Sequence, residues 1–214
     1  MHMNSRSPNS IFQPEANAGV NRRVFTQGSV TLAAAALAAS AAMAQTQAKP
    51  PAARAVPTEL GAFAAPTPWA LMGSGVLRFF GFKAYEAHLW SGASTANPLL
   101  SKTLFALEIE YATSIKAEEI VNVSLVEMAR LRSPSDAQIK SWTADLKKAF
   151  PDVKAGDKLT GVFVPKVGTR FFFNSRLTSE INDLAFGDAF FAIWLDDKAK
   201  KLDLRRALLG QAAI

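Results

Sequence analysis

The hydrophobic pattern of the chain changes period several times between Trp69 and Gly210, and those changes mark out its elements. Gly73 to Trp90 is rich in aromatic and β-branched residues, contains no proline and has a glycine at position 81. It predicts two consecutive strands meeting near Gly81, because a glycine inside a strand marks a bulge or a tight bend. Thr103 to Tyr111 alternates strictly, with Phe105, Leu107, Ile109 and Tyr111 on one side and Ala106, Glu108 and Glu110 on the other. That is a strand with one buried face and one face that is wet or helix-covered. Lys116 to Arg132 switches to a helical period, with Ile120, Ser124, Met128 and Arg132 on one line.

A second helix follows at Ser133-Pro134-Ser135-Asp136, with Ser133 expected as N-cap, Pro134 in the first helical position and Asp136 in the first turn. Ile139, Trp142, Leu146 and Phe150 form its apolar face, and Pro151 stops it. Lys158 to Val164, Thr169 to Asn174 and Leu177 to Ile181 read as an antiparallel meander, separated by turns at Pro165–Gly168 and Asn174–Arg176. Asp183 to Leu195 and Leu202 to Leu209 are helical, the last ended by Gly210. Strands, two helices, strands and two helices predict an α+β domain, a large antiparallel sheet with helices packed on one face.

The region before this domain has a different composition. Arg22-Arg23 is followed by the apolar run Val30 to Ala44, mostly alanine and ending Ala-Met-Ala. A basic segment, a short apolar segment and a small-residue end are the parts of a secretory signal peptide. The paired arginines with Phe25 resemble the twin-arginine export signal, although Asn21 and Thr26 depart from its commoner residues. Residues 1–44 are therefore expected to be a signal peptide cleaved near Ala44, and the product periplasmic. The run is too short and too alanine-rich for a stable membrane span, which needs about 20 apolar residues. Residues 45–68 hold prolines at 50, 51, 57, 66 and 68 and are expected to be an extended linker, from which Leu60 and Phe63 could dock on the domain.

Charge and cysteine content narrow the function. Loss of residues 1–44 removes Arg6, Arg22, Arg23 and Glu15 and takes the net charge from +6 to +4. That is too little for a nucleic-acid partner, which calls for a dense basic stripe. The absence of cysteine excludes a thiol nucleophile, a thiolate metal site and disulfides. His88 is the only histidine after the leader, so neither a metal site nor a cofactor is expected; a single axial bond to haem is the weaker reading of it. Glu108 and Glu110 have the spacing of any solvated strand face and are not read as an acid–base pair.

Arg78 stands among Val76, Phe80 and Phe82, and Ser124 is a hydroxyl on an apolar helical stripe that must find a partner. The stretch Gly73 to Tyr85, Phe150 to Asp157, Phe190 to Leu195 and Arg206 to Gly210 resemble the chalcone isomerase-like family, in its bacterial exported branch, over Trp69 to Gly210. The resemblance implies an open-faced β-sandwich with a cleft between sheet and helices. It also implies one of two activities: ring closure of a flavanone, or fatty-acid binding without catalysis. The enzyme's strand arginine maps to Leu77 or Arg78, depending on a one-residue shift, and its strand threonine maps to about Tyr85. Its helix tyrosine and asparagine fall near Ala117 and Ser124.

Arg78, Tyr85 and Ser124 are thus the candidate ligand-binding residues, too few for the isomerase but enough to hold a lipophilic carboxylate or phenol. The expectation is a binding protein for an acidic lipophilic molecule, with the guanidinium of Arg78 pointing into the cleft. The alternatives are an isomerase or intramolecular lyase anchored by Arg78, and a structural or partner-binding module.

Overall fold

In the computed structural model, which describes residues 54–93 and 103–211, the opening hairpin is the longest strand pair. The signal-peptide reading of residues 1–44 lies outside the described residues, as do residues 45–53. Strand β1 (Ala70–Phe79) turns into β2 (Phe82–Ser91) through Phe80 and Gly81, whose φ values are 46° and 84°. Two successive left-handed residues make the tight turn whose twist suits antiparallel strands.

The sheet continues through β3 (Phe105–Tyr111), β4 (Lys158–Val164), β5 (Gly168–Phe173) and β6 (Arg176–Ile181). Every neighbour is antiparallel and the spatial order is the chain order. Helices α1 (Ala117–Arg132), α2 (Asp136–Ala149), α3 (Leu184–Leu195) and α4 (Leu202–Leu208) complete the α+β domain.

The caps follow local chemistry, with one correction. Ser133 does not start α2. It takes a left-handed φ of 46° and ends α1, its N–H donating to the Ala129 carbonyl. Ser135 is the cap of α2, because its hydroxyl accepts the Gln138 N–H while the Gln138 side chain accepts the Ser135 N–H. Asp183 caps α3 by accepting from the N–H groups of Ala185 and Phe186.

Two glycines on β1 set how closely the last helix approaches. A Cβ on Gly73 would lie 2.1 Å from the Ala207 carbonyl oxygen, and one on Gly75 would lie 2.6 Å from a Leu204 methyl. Helix α4 therefore lies against bare backbone of β1. Helix α3 is the most buried: Phe186, Phe190 and Phe191 meet Phe105, Phe163 and Phe171 edge-to-face, Phe186 stacks on Phe190, and Trp194 packs edge-on to Phe190.

The opposite face of the sheet is covered too, by residues 54–69. Here the linker expectation is corrected, because from Arg54 onward the chain is laid on the sheet. A 3-10 helix, Thr58–Ala62, seats Leu60 fully buried against Trp90, Ala106, Val162 and Phe172, with Phe63 and Trp69 beside it. The carboxylate of Glu59 accepts from the Thr160 hydroxyl at 2.6 Å and the Ser175 hydroxyl at 2.9 Å. Arg54 donates to Glu108 at 3.1 and 3.2 Å and to Glu110 at 2.8 Å. Glu108 is only 2% exposed, so the predicted wet face of β3 is wet only in part. Its charge is buried because Arg54 and Lys158 (3.3 Å) come to meet it.

Candidate functional site

The helix-side face of the sheet leaves a cavity of about 420 Å³. Cross-strand register builds its floor. Leu77 pairs with Tyr85, and Tyr85 pairs with Tyr111, so the three stand in one row at the hairpin end of the sheet. Farther along β3, Ile109 stands beside Leu159, and Leu107 beside Gly161, which pairs in turn with Phe171 on β5. Ile120, Val123 and Ser124 of α1 and Phe190, Ile193 and Trp194 of α3 form the roof, and Phe150 closes the interior. Phe79, Ala84, Thr113 and Glu119 also line it, Phe79, Thr113 and Glu119 on exposed parts of the chain, as is Val123. The volume is in the range of small-molecule sites, which are mostly apolar with a few placed polar groups.

Three polar side chains gather at one end of this space. The Trp194 Nε1–H donates to the Tyr85 hydroxyl oxygen at 2.9 Å, which leaves the Tyr85 proton free to donate onward. The Tyr111 ring stands edge-on to Tyr85 at 6.2 Å, and among the described residues its hydroxyl has no partner. Burial pushes the Tyr85 hydroxyl up to about 12 and raises Tyr111 further, because an ionised phenol would lose its hydration here. Both are O–H donors throughout the physiological range. Ser124 also lines the cavity, but its hydroxyl donates to the Ile120 carbonyl one turn back at 2.7 Å, satisfied within its own helix.

Arg78 does not join them. Its side chain is exposed near the hairpin tip and donates to the Gly81 carbonyl at 3.2 Å, while Leu77 takes the cavity-facing place. The reason is the pleat. Gly73, Gly75, Leu77 and Phe79 share the helix-side face, and Ser74, Val76 and Arg78 share the other. The structure thus unites Tyr85 and Ser124, leaves Arg78 outside, and adds Tyr111 and Trp194, which the apolar pattern had absorbed as core. The register Leu77–Tyr85–Tyr111 is the signal that finds them, and it exists only once strands are paired.

Among the described residues lining the cavity, the one charged side chain is Glu119, which is exposed. The space therefore offers hydroxyl donors and apolar walls, but no cation to stabilise a developing phenolate or enolate. His88 lies on the opposite face, its Nδ1 2.7 Å from the Ser74 hydroxyl; burial, then Arg54, lowers its proton affinity. No three of His, Asp and Glu gather as a metal site among the described residues.

The profile of the chalcone isomerase-like family matches residues 60–210. No curated protein matches the sequence. Among solved structures, the fold is similar to that of a fatty-acid binding protein from Arabidopsis thaliana, with a TM-score of 0.54 and 9% identity over 66% of this chain and 87% of that one. Identity that low shows a shared fold.

Proposed function

The chain belongs to the chalcone isomerase-like family, and from that premise we propose that it is an exported, non-catalytic carrier of an acidic lipophilic small molecule. The single observation that carries this reading is the apolar cavity with hydroxyl donors at one end and no cation in its lining. An alkyl chain packs along Leu107, Gly161, Phe171 and Phe190, and a carboxyl group accepts from Tyr85 and Tyr111. The fatty-acid binding neighbour supports the ligand class by likeness of fold alone. The isomerase alternative rested on Arg78 in the cleft, and Leu77 stands there instead.

A carboxylate buried without a cation is costly, and such a group takes up a proton rather than stay charged. A fatty acid therefore binds as the neutral acid. Displacement of a fluorescent fatty acid from the full chain, followed against pH, tests this. Affinity for the acid rises as pH falls toward its own ionisation range, while a fatty alcohol of equal length shows a flat profile. Leu77→Arg reverses the trend and strengthens binding at neutral pH by about tenfold, the scale of one charge-assisted hydrogen bond. Absence of any saturable fatty-acid binding refutes the proposal.

A further inference from the structure

The tip of the β1–β2 hairpin carries an exposed aromatic cluster that the fold does not use. Phe79 is 63% exposed, Phe80 91% and Phe82 79%, and the first two rings meet edge-on at 5.1 Å. Phe80 occupies a left-handed backbone position, φ 46°, where glycine, asparagine or aspartate is favoured and a bulky side chain is unusual. A phenylalanine held there, with its ring in water, contributes nothing visible to the core, and such conformations concentrate at functional sites. Exposed apolar patches of this kind mark interaction surfaces.

Two observations select the occupant. The cluster is flanked by cations, Arg78 and Lys83. Arg78 has no carboxylate partner among the described residues, and Lys83 pairs with Glu86 at 2.7 Å in an exposed position. The patch is also continuous with the cavity, since Phe79 belongs both to the tip and to the cavity lining. Aromatic rings bordered by basic side chains suit the boundary of an anionic bilayer, where rings enter the acyl region and cations meet phosphates.

We propose that the Phe79–Phe82 tip docks the protein on an anionic lipid surface, bringing the cavity mouth to the membrane so that the ligand passes between them. Its purpose rests on the carrier reading above; the docking itself does not.

The chain has no cysteine, so Phe80→Cys provides a single attachment point for an environment-sensitive fluorophore, and Ala137→Cys on exposed α2 provides a control. With the full chain and vesicles of mixed phosphatidylcholine and phosphatidylglycerol, the label at position 80 brightens and shifts blue. The change is smaller on pure phosphatidylcholine or at high salt, and the label at 137 stays unchanged. No change at position 80 overturns the proposal. So does a change that appears with rising protein concentration without vesicles, which would assign the tip to a second copy.

A second variant separates docking from binding. Phe80→Ser with Phe82→Ser leaves fatty-acid affinity in vesicle-free solution within twofold, because neither side chain lines the cavity. Uptake of the fluorescent fatty acid from mixed vesicles slows by about tenfold, in keeping with two rings withdrawn from the acyl region. Equal uptake by both chains overturns the proposal. Failure of both to bind the acid in free solution defeats the carrier reading and leaves the fluorophore result standing.

Discussion

The two faces of one sheet are finished in opposite ways. On the side of residues 54–69, Leu60 fills its place completely, and the buried carboxyl groups of Glu59 and Glu108 are met by Thr160 and Ser175, and by Arg54 and Lys158, respectively. On the helix side, about 420 Å³ is left unfilled, and the hydroxyls of Tyr85 and Tyr111 keep protons to spare. The space left open between sheet and helices forgoes the packing contacts that an apolar side chain would make there. The difference teaches a division of labour: the filled face stabilises the sheet, with only His88 Nε2 and Trp90 Nε1 left unpartnered there among its described buried side chains, and the open face retains the capacity to bind.

The largest effect expected is on the filled face. Leu60→Ala, at a fully buried site, costs about 3 kcal/mol, read as a lower urea midpoint with unchanged slope. Fatty-acid affinity at saturating fold stays the same, and a parallel loss of affinity would show that the two faces are not independent.

Arg54→Met comes next, at about 1–2 kcal/mol, since it removes one of two cations facing the buried Glu108. The pH dependence sharpens this. The Arg54 hydrogen bond lowers the Glu110 carboxyl, so its stabilisation is complete above the ordinary glutamate range and is lost as pH falls through the lowered folded value. Urea midpoints of the native chain should fall on acidification through that window, and those of Arg54→Met less so.

The hollow face answers in affinity. Val123 is 64% exposed and lines the cavity, so Val123→Trp narrows it and weakens fatty-acid binding by about tenfold, with stability changed by less than about 0.5 kcal/mol. The smallest effect is Tyr111→Phe, which removes one hydroxyl and lowers affinity by about fivefold, the scale of one neutral hydrogen bond. Titration calorimetry checks both, and retained affinity in both would place the ligand elsewhere.

Much of the architecture was legible in local pattern. The strict alternation of Phe105 to Tyr111 gave β3, the glycine at 81 marked the hairpin, and Asp183 began α3 where expected. The misreadings share a cause. Arg78 was assigned to the cleft because its strand neighbours are apolar, yet Val76 and Phe80 face away from the cavity with it or lie exposed beyond its edge. Ser133 and Ser135 both suit a cap, and only the reciprocal bond to Gln138 decides between them. Proline spacing in residues 45–68 said nothing of where Leu60 would seat, nor of the 3-10 helix Thr58–Ala62 that seats it.

The order of elements, the α+β class and the meander follow from the sequence alone, because periodicity and turn chemistry act over a few residues. Which strand face meets the helices, which charge finds Arg54 and how much volume stays open between the layers were decided only in three dimensions. Those depend on the pairing of strands and on side chains distant in the chain, whose summed volumes no local pattern records.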